Sequence, residues 1–256
     1  MKFLIKLGGT LLDSAASRAR LATEIVELAN TGAQIAVVHG GGKQMTRFLA
    51  ERNVESRFVN GLRVTTPEVL DAVLKVLGGA VNHELVAAFV AAGGHAVGLS
   101  GLDAATAVAE RVSDELGAVG RPVQSNGALM HLLSANGYLP VIACIGGDAQ
   151  GNIYNVNADQ MAIMCASGFG ADRLFFLTDV DGVRVADGTI APLLTPAAIE
   201  DLISTGVATG GMQAKLESAV RALDMGVGEI VIAPGQHAGI VSRLATGETL
   251  GTKIAK

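Results

Sequence analysis

Two short apolar runs that read as buried β-strands each end in a cluster of glycines. Residues 3–5 lead into Lys6-Leu7-Gly8-Gly9, and residues 35–38 lead into His39-Gly40-Gly41-Gly42. Glycine at a strand end lets the backbone approach a ligand closely, because no Cβ atom is in the way. A segment with helical spacing of apolar residues, 17–30, separates the two runs. This alternation predicts a doubly wound sheet of mostly parallel strands.

The composition fits a sheet that is covered by helices. Half of the 256 residues are apolar and only 4% are aromatic, which is typical of parallel sheets with an aliphatic core. A net charge of −5 without a basic stripe argues against a nucleic-acid partner. No apolar run approaches 18 residues without glycine or charge, so no membrane partner is expected. Two cysteines in apolar surroundings indicate free thiols and a cytoplasmic location.

The rest of the chain predicts further elements of one domain with two lobes. Residues 53–65 are polar and predict a hairpin or lid. Apolar spacing predicts helices over 67–77 and 81–92, with Gly78-Gly79 as the end of the first. The last central strand is expected at 230–233, with Lys253 in a C-terminal tail. No linker or internal repeat stands out.

Two lysines lie where an anion is expected. Lys6 is at the carboxyl end of the first strand, where open α/β sheets bind ligands. Lys215 follows Thr209-Gly210-Gly211-Met212 near the start of a helix, where a cation is locally unfavourable unless an anion approaches. Together they could neutralise one phosphoryl group from both sides. Since no G-x-x-x-x-G-K-[ST] motif occurs, the pattern indicates phosphoryl transfer without a Walker A loop.

Other polar residues support this hypothesis, and each has a simpler interpretation. Arg63, within Gly61-Leu62-Arg63-Val64-Thr65, could bind a carboxylate through both arms of its guanidinium, or could be a solvated loop arginine. Asp159 between the two lysines would hold both ammonium groups and keep them protonated. Asn157 is a good helix N-cap, His39 could be a satisfied core histidine, and Lys215 could face solvent.

In order and over nearly the whole length, these motifs resemble the amino acid kinase family, and Gly61–Thr65 resembles its acetylglutamate branch. The resemblance implies an open αβα sandwich with a mostly parallel central sheet. It implies an N-terminal lobe, about 1–170, that binds N-acetyl-L-glutamate, and a C-terminal lobe, about 171–256, that binds MgATP. The implied reaction is ATP-dependent phosphorylation of the γ-carboxylate, the second step of arginine biosynthesis.

The resemblance also implies residue roles. Lys6 and Lys215 stabilise the transferring phosphoryl group, and Asp159 organises them. Substrate is bound by Gly41, Gly42, Arg63 and Asn155. The nucleotide is contacted by Gly8, Gly9, Asp179, Val180, Asp181, Gly182, Val183, Val207, Ala208 and Thr209. A carboxylate is already ionised at neutral pH, so no general base is needed. Magnesium is expected on the nucleotide phosphates, with no protein-only metal site.

Two other functions stay open at this point. A sister kinase could act on an aminoadipate side chain held on a small acidic carrier protein, but that partner calls for a basic rim. A non-catalytic nucleotide or amino-acid sensor would be favoured by loss of Lys6 or Lys215, and both are present. A homodimer is expected across the helices at 67–77 and 81–92. It is expected to be insensitive to arginine, because the extra helix of arginine-inhibited members does not precede the first strand.

Overall fold

A computed structural model describes residues 1–8 and 10–256, and Gly9, which is predicted to contact the nucleotide, lies outside the described residues. The strands are β1 Lys2–Leu7, β2 Gln34–His39, β3 Phe58–Val59, β4 Leu62–Arg63, β5 His95–Ser100, β6 Val108–Arg111, β7 Val119–Gln124, β8 Tyr138–Ala143, β9 Ile145–Gly147, β10 Ile153–Val156, β11 Arg173–Thr178, β12 Leu193–Leu194, β13 Glu229–Pro234 and β14 Thr252–Ile254. The helices are α1 Ala15–Asn30, α2 Gly42–Ala50, α3 Pro67–Val73, α4 Asn82–Ala91, α5 Ala128–Ala135, α6 Ala158–Phe169, α7 Pro196–Ser204, α8 Gly210–Asp224 and α9 Ile240–Ala245.

The central sheet has the order β12-β14-β13-β11-β1-β2-β8-β5. The six strands from β13 to β5 are parallel to one another, β14 runs antiparallel to β13, and the edge strand β12 is parallel to β14. Leu4 and Ile5 on β1 are both fully buried, and successive strand residues point to opposite faces, so both faces of the sheet are covered. The predicted α/β class with a mostly parallel sheet is therefore confirmed. Because β1 lies between β2 and β11, their carboxyl ends bring Lys6, His39 and Thr178 to one edge.

One continuous helix replaces the two that the sequence predicts between 67 and 92. Thr66 caps α3 through the N–H of Val69, as its sequence suggests, but the segment Leu74–Val81 is π-helical and joins α3 directly to α4. The predicted helix end at Gly78-Gly79 is wrong. A Cβ atom on Gly78 would lie 3.1 Å from Ile145 Cδ1, so this glycine permits close packing inside the helix.

The same helix, Pro67–Ala91, is long and apolar enough to cross a membrane by length and composition. In this structure its inward side chains, among them Val69, Val73, Leu85 and Phe89, are buried in the central core. Burial of each such side chain contributes about 1.5–3 kcal/mol to stability. We therefore interpret it as a core helix that supports one side of the sheet.

The polar segment before this helix forms the predicted hairpin. Val59 pairs with Leu62, and the connecting Asn60 and Gly61 both have positive φ. Asn-Gly is the favoured sequence for this two-residue turn, because both positions must adopt left-handed backbone angles. The hairpin places Arg63 at the end of β4, over a cavity that is described below.

Two parts of the fold differ from expectation near the chain end and beside the main sheet. Lys253 lies in β14, so the predicted C-terminal tail is wrong at this residue; a three-residue strand is too short to show periodicity. Strands β6, β7, β9 and β10 close into a small second sheet beside the main one. This small sheet carries Asn155 to the edge of the same cavity.

Candidate active site

Two lysines from opposite halves of the chain meet at one carboxylate. Lys6 is on β1, Asp159 is in the first turn of α6, and Lys215 is in α8. Asp159 Oδ1 lies 2.9 Å from Lys6 Nζ, and Asp159 Oδ2 lies 2.6 Å from Lys215 Nζ. The three side chains are only 11%, 22% and 13% exposed in the order Lys6, Asp159, Lys215. We call them the Lys-Asp-Lys cluster.

The charges in this cluster stabilise one another. Burial alone would raise the pKa of Asp159, but Lys6 and Lys215 hold that pKa far below its ordinary value. Burial lowers the pKa of Lys215, and Asp159 opposes that shift. The carboxylate is therefore ionised at neutral pH, and two ammonium groups share its single negative charge. The cluster keeps a net positive charge that can attract a phosphoryl group.

Arg63 is a buried cation that is held by neutral groups. It is 9% exposed, and its Nη2 donates hydrogen bonds to Gly42 O at 3.1 Å and Thr46 Oγ1 at 2.9 Å. Nη1 donates to Ser56 Oγ, and the Phe58 ring centroid lies 4.5 Å from the guanidinium carbon. Within residues 1–8 and 10–256 no carboxylate pairs with it. Burial lowers the pKa of Arg63, so an incoming carboxylate would stabilise its charged form.

A cavity of about 160 Å³ lies between Arg63 and the start of α6. Asn155 lines it and donates from Nδ2 to Thr65 Oγ1 at 3.0 Å. Apolar side chains of Met45, Val73 and Leu77 form other parts of its wall. A wider cleft of about 740 Å³ shares Gly41, Gly42 and Arg63 with this cavity and extends to Lys6 and Asp179. The two spaces together could hold a small acid beside a larger ligand.

The glycines at the strand ends have different roles. The N–H of Gly8 donates to Leu177 O at 2.9 Å, so it is committed to the sheet edge. A Cβ atom on Gly8 would also lie 3.0 Å from that oxygen. The N–H groups of Gly41 and Gly42 begin α2, and no described residue accepts a hydrogen bond from them. They are available to an anion at the helix N-terminus.

Some of the residues that are predicted to contact the nucleotide form an exposed region, which we call the open rim. Asp179 lines the wider cleft, and Val180 and Val207 are each 37% exposed. Thr209 precedes α8 without a side-chain cap, and the N–H groups of Gly210 and Gly211 donate to no described residue. The first N–H groups of α8 are therefore open to an anion.

Other residues of that predicted set are held by contacts within the protein. Val183 and Ala208 are buried, and their N–H groups donate to Thr252 Oγ1 at 2.8 Å and Leu202 O at 2.9 Å. Gly182 has φ +146°, and a Cβ atom there would lie 2.7 Å from Ile190 Cγ2. Asp181 is paired with Arg184 at 3.9 Å. Gly182 and Val183 therefore shape the turn through the backbone.

Sequence reasoning missed the groups that support the site. Ser56 and Phe58 on the segment just before Arg63, and Thr46 on α2, surround its guanidinium, but none of them belongs to a motif of its own. Asn157 is the N-cap of α6, as its simpler interpretation has it, and accepts from the N–H of Asp159 at 2.9 Å. This cap sets the position of Asp159 at the start of α6.

Comparison with known proteins agrees with this geometry. The model of the amino acid kinase family matches residues 1–234. The chain is 59% identical to the acetylglutamate kinase of Solibacter usitatus (strain Ellin6076), covering 99% of both chains. It is 42% identical to the acetylglutamate kinase of Koribacter versatilis (strain Ellin345), covering 93% of this chain and 92% of that one.

A solved structure has the same fold. N-acetylglutamate synthase from Neisseria gonorrhoeae, determined with coenzyme A and N-acetyl-glutamate, superposes with a TM-score of 0.88 at 25% identity. The match covers all of this chain and 59% of the synthase. Fold, charged cluster and relatives all agree: the chain belongs to the amino acid kinase family and is a phosphotransferase.

Proposed function

We propose that this enzyme transfers the γ-phosphoryl group of ATP to the γ-carboxylate of N-acetyl-L-glutamate, giving an acyl phosphate for arginine biosynthesis. The relatives named acetylglutamate kinase support the reaction over nearly the full length of the chain. The Lys-Asp-Lys cluster, whose Lys6 lines the wider cleft, is the observation that carries it.

The acid pocket has the chemistry that N-acetyl-L-glutamate requires. Arg63, held by neutral acceptors, would bind the α-carboxylate through a charge-assisted pair of hydrogen bonds. Asn155, whose amide lines the cavity, would hydrogen-bond the acetamido group or the α-carboxylate. The apolar wall that includes Met45 and Leu77 would contact the acetyl methyl group. The γ-carboxylate would then point toward Gly41, Gly42 and Lys6.

The reaction needs charge neutralisation and alignment, with no proton transfer. A γ-carboxylate oxygen attacks the γ-phosphorus of ATP, and the bond from that phosphorus to the bridging oxygen of ADP breaks. The electron pair of that bond leaves with ADP. Lys6 and Lys215 would balance the negative charge on the phosphoryl oxygens and on the leaving ADP. Asp159 would keep the two ammonium groups on either side of the transfer line.

The nucleotide would lie along the open rim near Asp179, Val180 and the start of α8. The uncapped N–H groups of Gly210 and Gly211 suit phosphate oxygens. Both oxygens of Asp159 face lysines, so phosphate oxygens are the better ligands for Mg²⁺. When bound there, magnesium would neutralise phosphate charge. We infer that it enters as MgATP.

Assembly, location and lobe boundaries are further parts of the proposal. β5 is an edge strand of the central sheet, and Val90 on the neighbouring α4 is 56% exposed, so a second copy of the chain could pair there. A homodimer of about 52 kDa, twice 26.0 kDa, is the expected particle in light scattering. Two free buried thiols support a cytoplasmic location. We place the lobes at about 1–170 and 171–256.

The test is ADP release with N-acetyl-L-glutamate, L-glutamate and L-aspartate as separate acceptors. Hydroxylamine in the assay traps an acyl phosphate as a hydroxamate, so a true transfer gives equal ADP and hydroxamate. We expect this only with N-acetyl-L-glutamate. ADP without hydroxamate would indicate ATP hydrolysis, and preference for free glutamate or aspartate would contradict the assignment of the acid pocket.

The sister kinase for a carrier-bound aminoadipate is tested in the same assay. Turnover of free N-acetyl-L-glutamate argues against a requirement for the carrier. Turnover only with a carrier-bound aminoadipate side chain would replace the proposed substrate while leaving the proposed chemistry unchanged.

A further inference from the structure

A buried histidine lies directly behind the second glycine loop. His39, at the end of β2, has no exposed surface. Its Nδ1 lies 2.9 Å from Gly40 O, and its Nε2 lies 2.9 Å from Asn82 Nδ2. The amide of Asn82 also donates to Val141 O at 2.9 Å. His39 and Asn82 thus link the start of α4 and the strand β8 to the first glycine of the loop.

This network defines where the histidine proton lies. Burial lowers the pKa of His39 to about 4, so the ring is neutral at pH 7. Gly40 O can only accept, which places the proton on Nδ1. The amide nitrogen of Asn82 can only donate, which requires a bare Nε2. Asn82 Nδ2 also donates to Val141 O at 2.9 Å and Leu99 O at 3.4 Å, which can only accept, so the amide is held in this orientation.

The hydrogen bond to Gly40 O sets the direction of the next N–H group. No peptide bond in the described residues is cis. In a planar trans peptide the C=O and N–H groups point in opposite directions. Because Gly40 O points toward the buried ring, the N–H of Gly41 points away from it. Gly41 lines both the acid cavity and the wider cleft, and no described residue accepts from its N–H.

We propose that His39, oriented by Asn82, is a positioning residue that aims the Gly41 N–H at the phosphoryl group in transfer. The inference rests on the proposed function, because Gly41 borders both substrates only in that arrangement. Three consecutive glycines would otherwise leave the direction of this peptide free. A prealigned donor stabilises developing negative charge without reorganisation during the reaction. His39 itself touches no substrate and transfers no proton.

Two amide substitutions separate this role from a purely structural one. In His39→Asn the amide nitrogen is attached to Cγ, as Nδ1 is, so the bond to Gly40 O can be retained. In His39→Gln the amide lies one bond farther out, where its oxygen can accept from Asn82 Nδ2 in place of Nε2, while the hydrogen bond to Gly40 O is lost. Both variants replace the buried ring by a neutral amide.

We expect His39→Gln to lower kcat by on the order of 10- to 100-fold. This fall should not exceed the fall caused by removing one hydrogen-bond donor to the transition state. His39→Asn should keep kcat within about 3-fold, and neither variant should change either KM by more than about 3-fold. Val37→Ala, fully buried on the same strand, is the control that lowers stability without changing kcat. Equal kcat in His39→Gln and wild type, or equal losses in both His39 variants, would overturn the proposal.

A measurement on wild-type protein does not depend on folding of a variant or on activity. Nitrogen-15 NMR of the histidine ring should show a protonated Nδ1 and a bare Nε2 at pH 7. A protonated Nε2 with a bare Nδ1, or an imidazolium ion, would refute the network. If the NMR result holds while wild type does not phosphorylate N-acetyl-L-glutamate, the proposed function fails and the geometry of the loop stands.

Discussion

The acid side and the nucleotide side of the site are built differently. On the acid side Arg63 is 9% exposed and is held by acceptors from α2 and the preceding loop, while Asn155 is held by Thr65. On the nucleotide side Val180 and Val207 are 37% exposed, and Thr209 leaves α8 uncapped. One side is organised by the protein itself, whereas the other presents open backbone groups.

This difference indicates how binding energy is used. A group that is already held in position loses little freedom when a ligand arrives, so a small acid can be bound selectively by few contacts. A nucleotide offers many more atoms, and its phosphates can satisfy open N–H groups at a helix start. The Lys-Asp-Lys cluster joins the two sides, since Lys6 comes from β1 and Lys215 from α8.

The largest expected effect tests whether the two sides act as one unit. Lys6→Met and Lys215→Met keep the side-chain stem but remove the charge, and each should lower kcat by on the order of 10²-fold or more. Lys75→Met, an exposed lysine of the long helix, is the control and should leave kcat unchanged. Steady-state kinetics and thermal unfolding are measured together. Near-normal kcat in Lys215→Met would show that only the acid side carries the chemistry.

The next effect concerns the acid side of the site and is a pH dependence of the free energy of unfolding. The pKa of His39 falls from 6.5 to about 4 on folding, so between these values the unfolded chain binds the extra proton. Stability is therefore complete above pH 6.5 and decreases as pH falls toward 4, by on the order of 2 kcal/mol between pH 7 and pH 5.

Urea unfolding at pH 7, 6 and 5 measures this loss, with His39→Asn as the matched variant that lacks the titrating ring. The free energy of unfolding of wild type should fall more steeply than that of the variant. Parallel slopes would mean that His39 titrates normally in the folded protein.

A smaller effect sharpens the assignment of the acid pocket. Arg63→Lys keeps the charge but cannot reproduce the planar set of donors, so KM for N-acetyl-L-glutamate should rise by about 10-fold. KM for ATP should change by less than about 2-fold, because the open side is untouched. Arg121→Lys, an exposed arginine of β7, serves as the control. An equal rise in both KM values would indicate a disturbed lobe instead.

The smallest effect compares two threonines at helix starts. Thr195 caps α7 through the N–H of Ala198, so Thr195→Ala should cost about 1 kcal/mol of stability. Thr209 makes no such bond, so Thr209→Ala should change stability by less than about 0.5 kcal/mol while KM for ATP rises. Chemical denaturation and steady-state kinetics of both variants measure this difference in stability and in KM for ATP. A loss of stability in Thr209→Ala equal to that in Thr195→Ala would place Thr209 in the organised part of the protein.

Strong local patterns in the sequence predict a large part of the fold. The parallel sheet, the start of the long helix at Thr66-Pro67 and the hairpin around Asn60-Gly61 each follow from residues that are neighbours in sequence. The continuous helix through Gly78-Gly79 does not follow from such a pattern, because the reason for Gly78 is its contact with Ile145, far along the chain. Periodicity also fails for β14, since three residues are too few to show a period.

By itself the sequence determined which residue types were available for the chemistry: two lysines, one aspartate, one arginine and the glycine-ended strands. Only the tertiary structure decided that Asp159 bridges Lys6 and Lys215, and that Arg63 has hydroxyl and carbonyl partners but no carboxylate among the described residues. It also decided that His39 turns one ring nitrogen to Gly40 and the other to Asn82. Periodicity and backbone preference act over a few residues, whereas most of these contacts join positions far apart in the chain and exist only when the sheet has assembled.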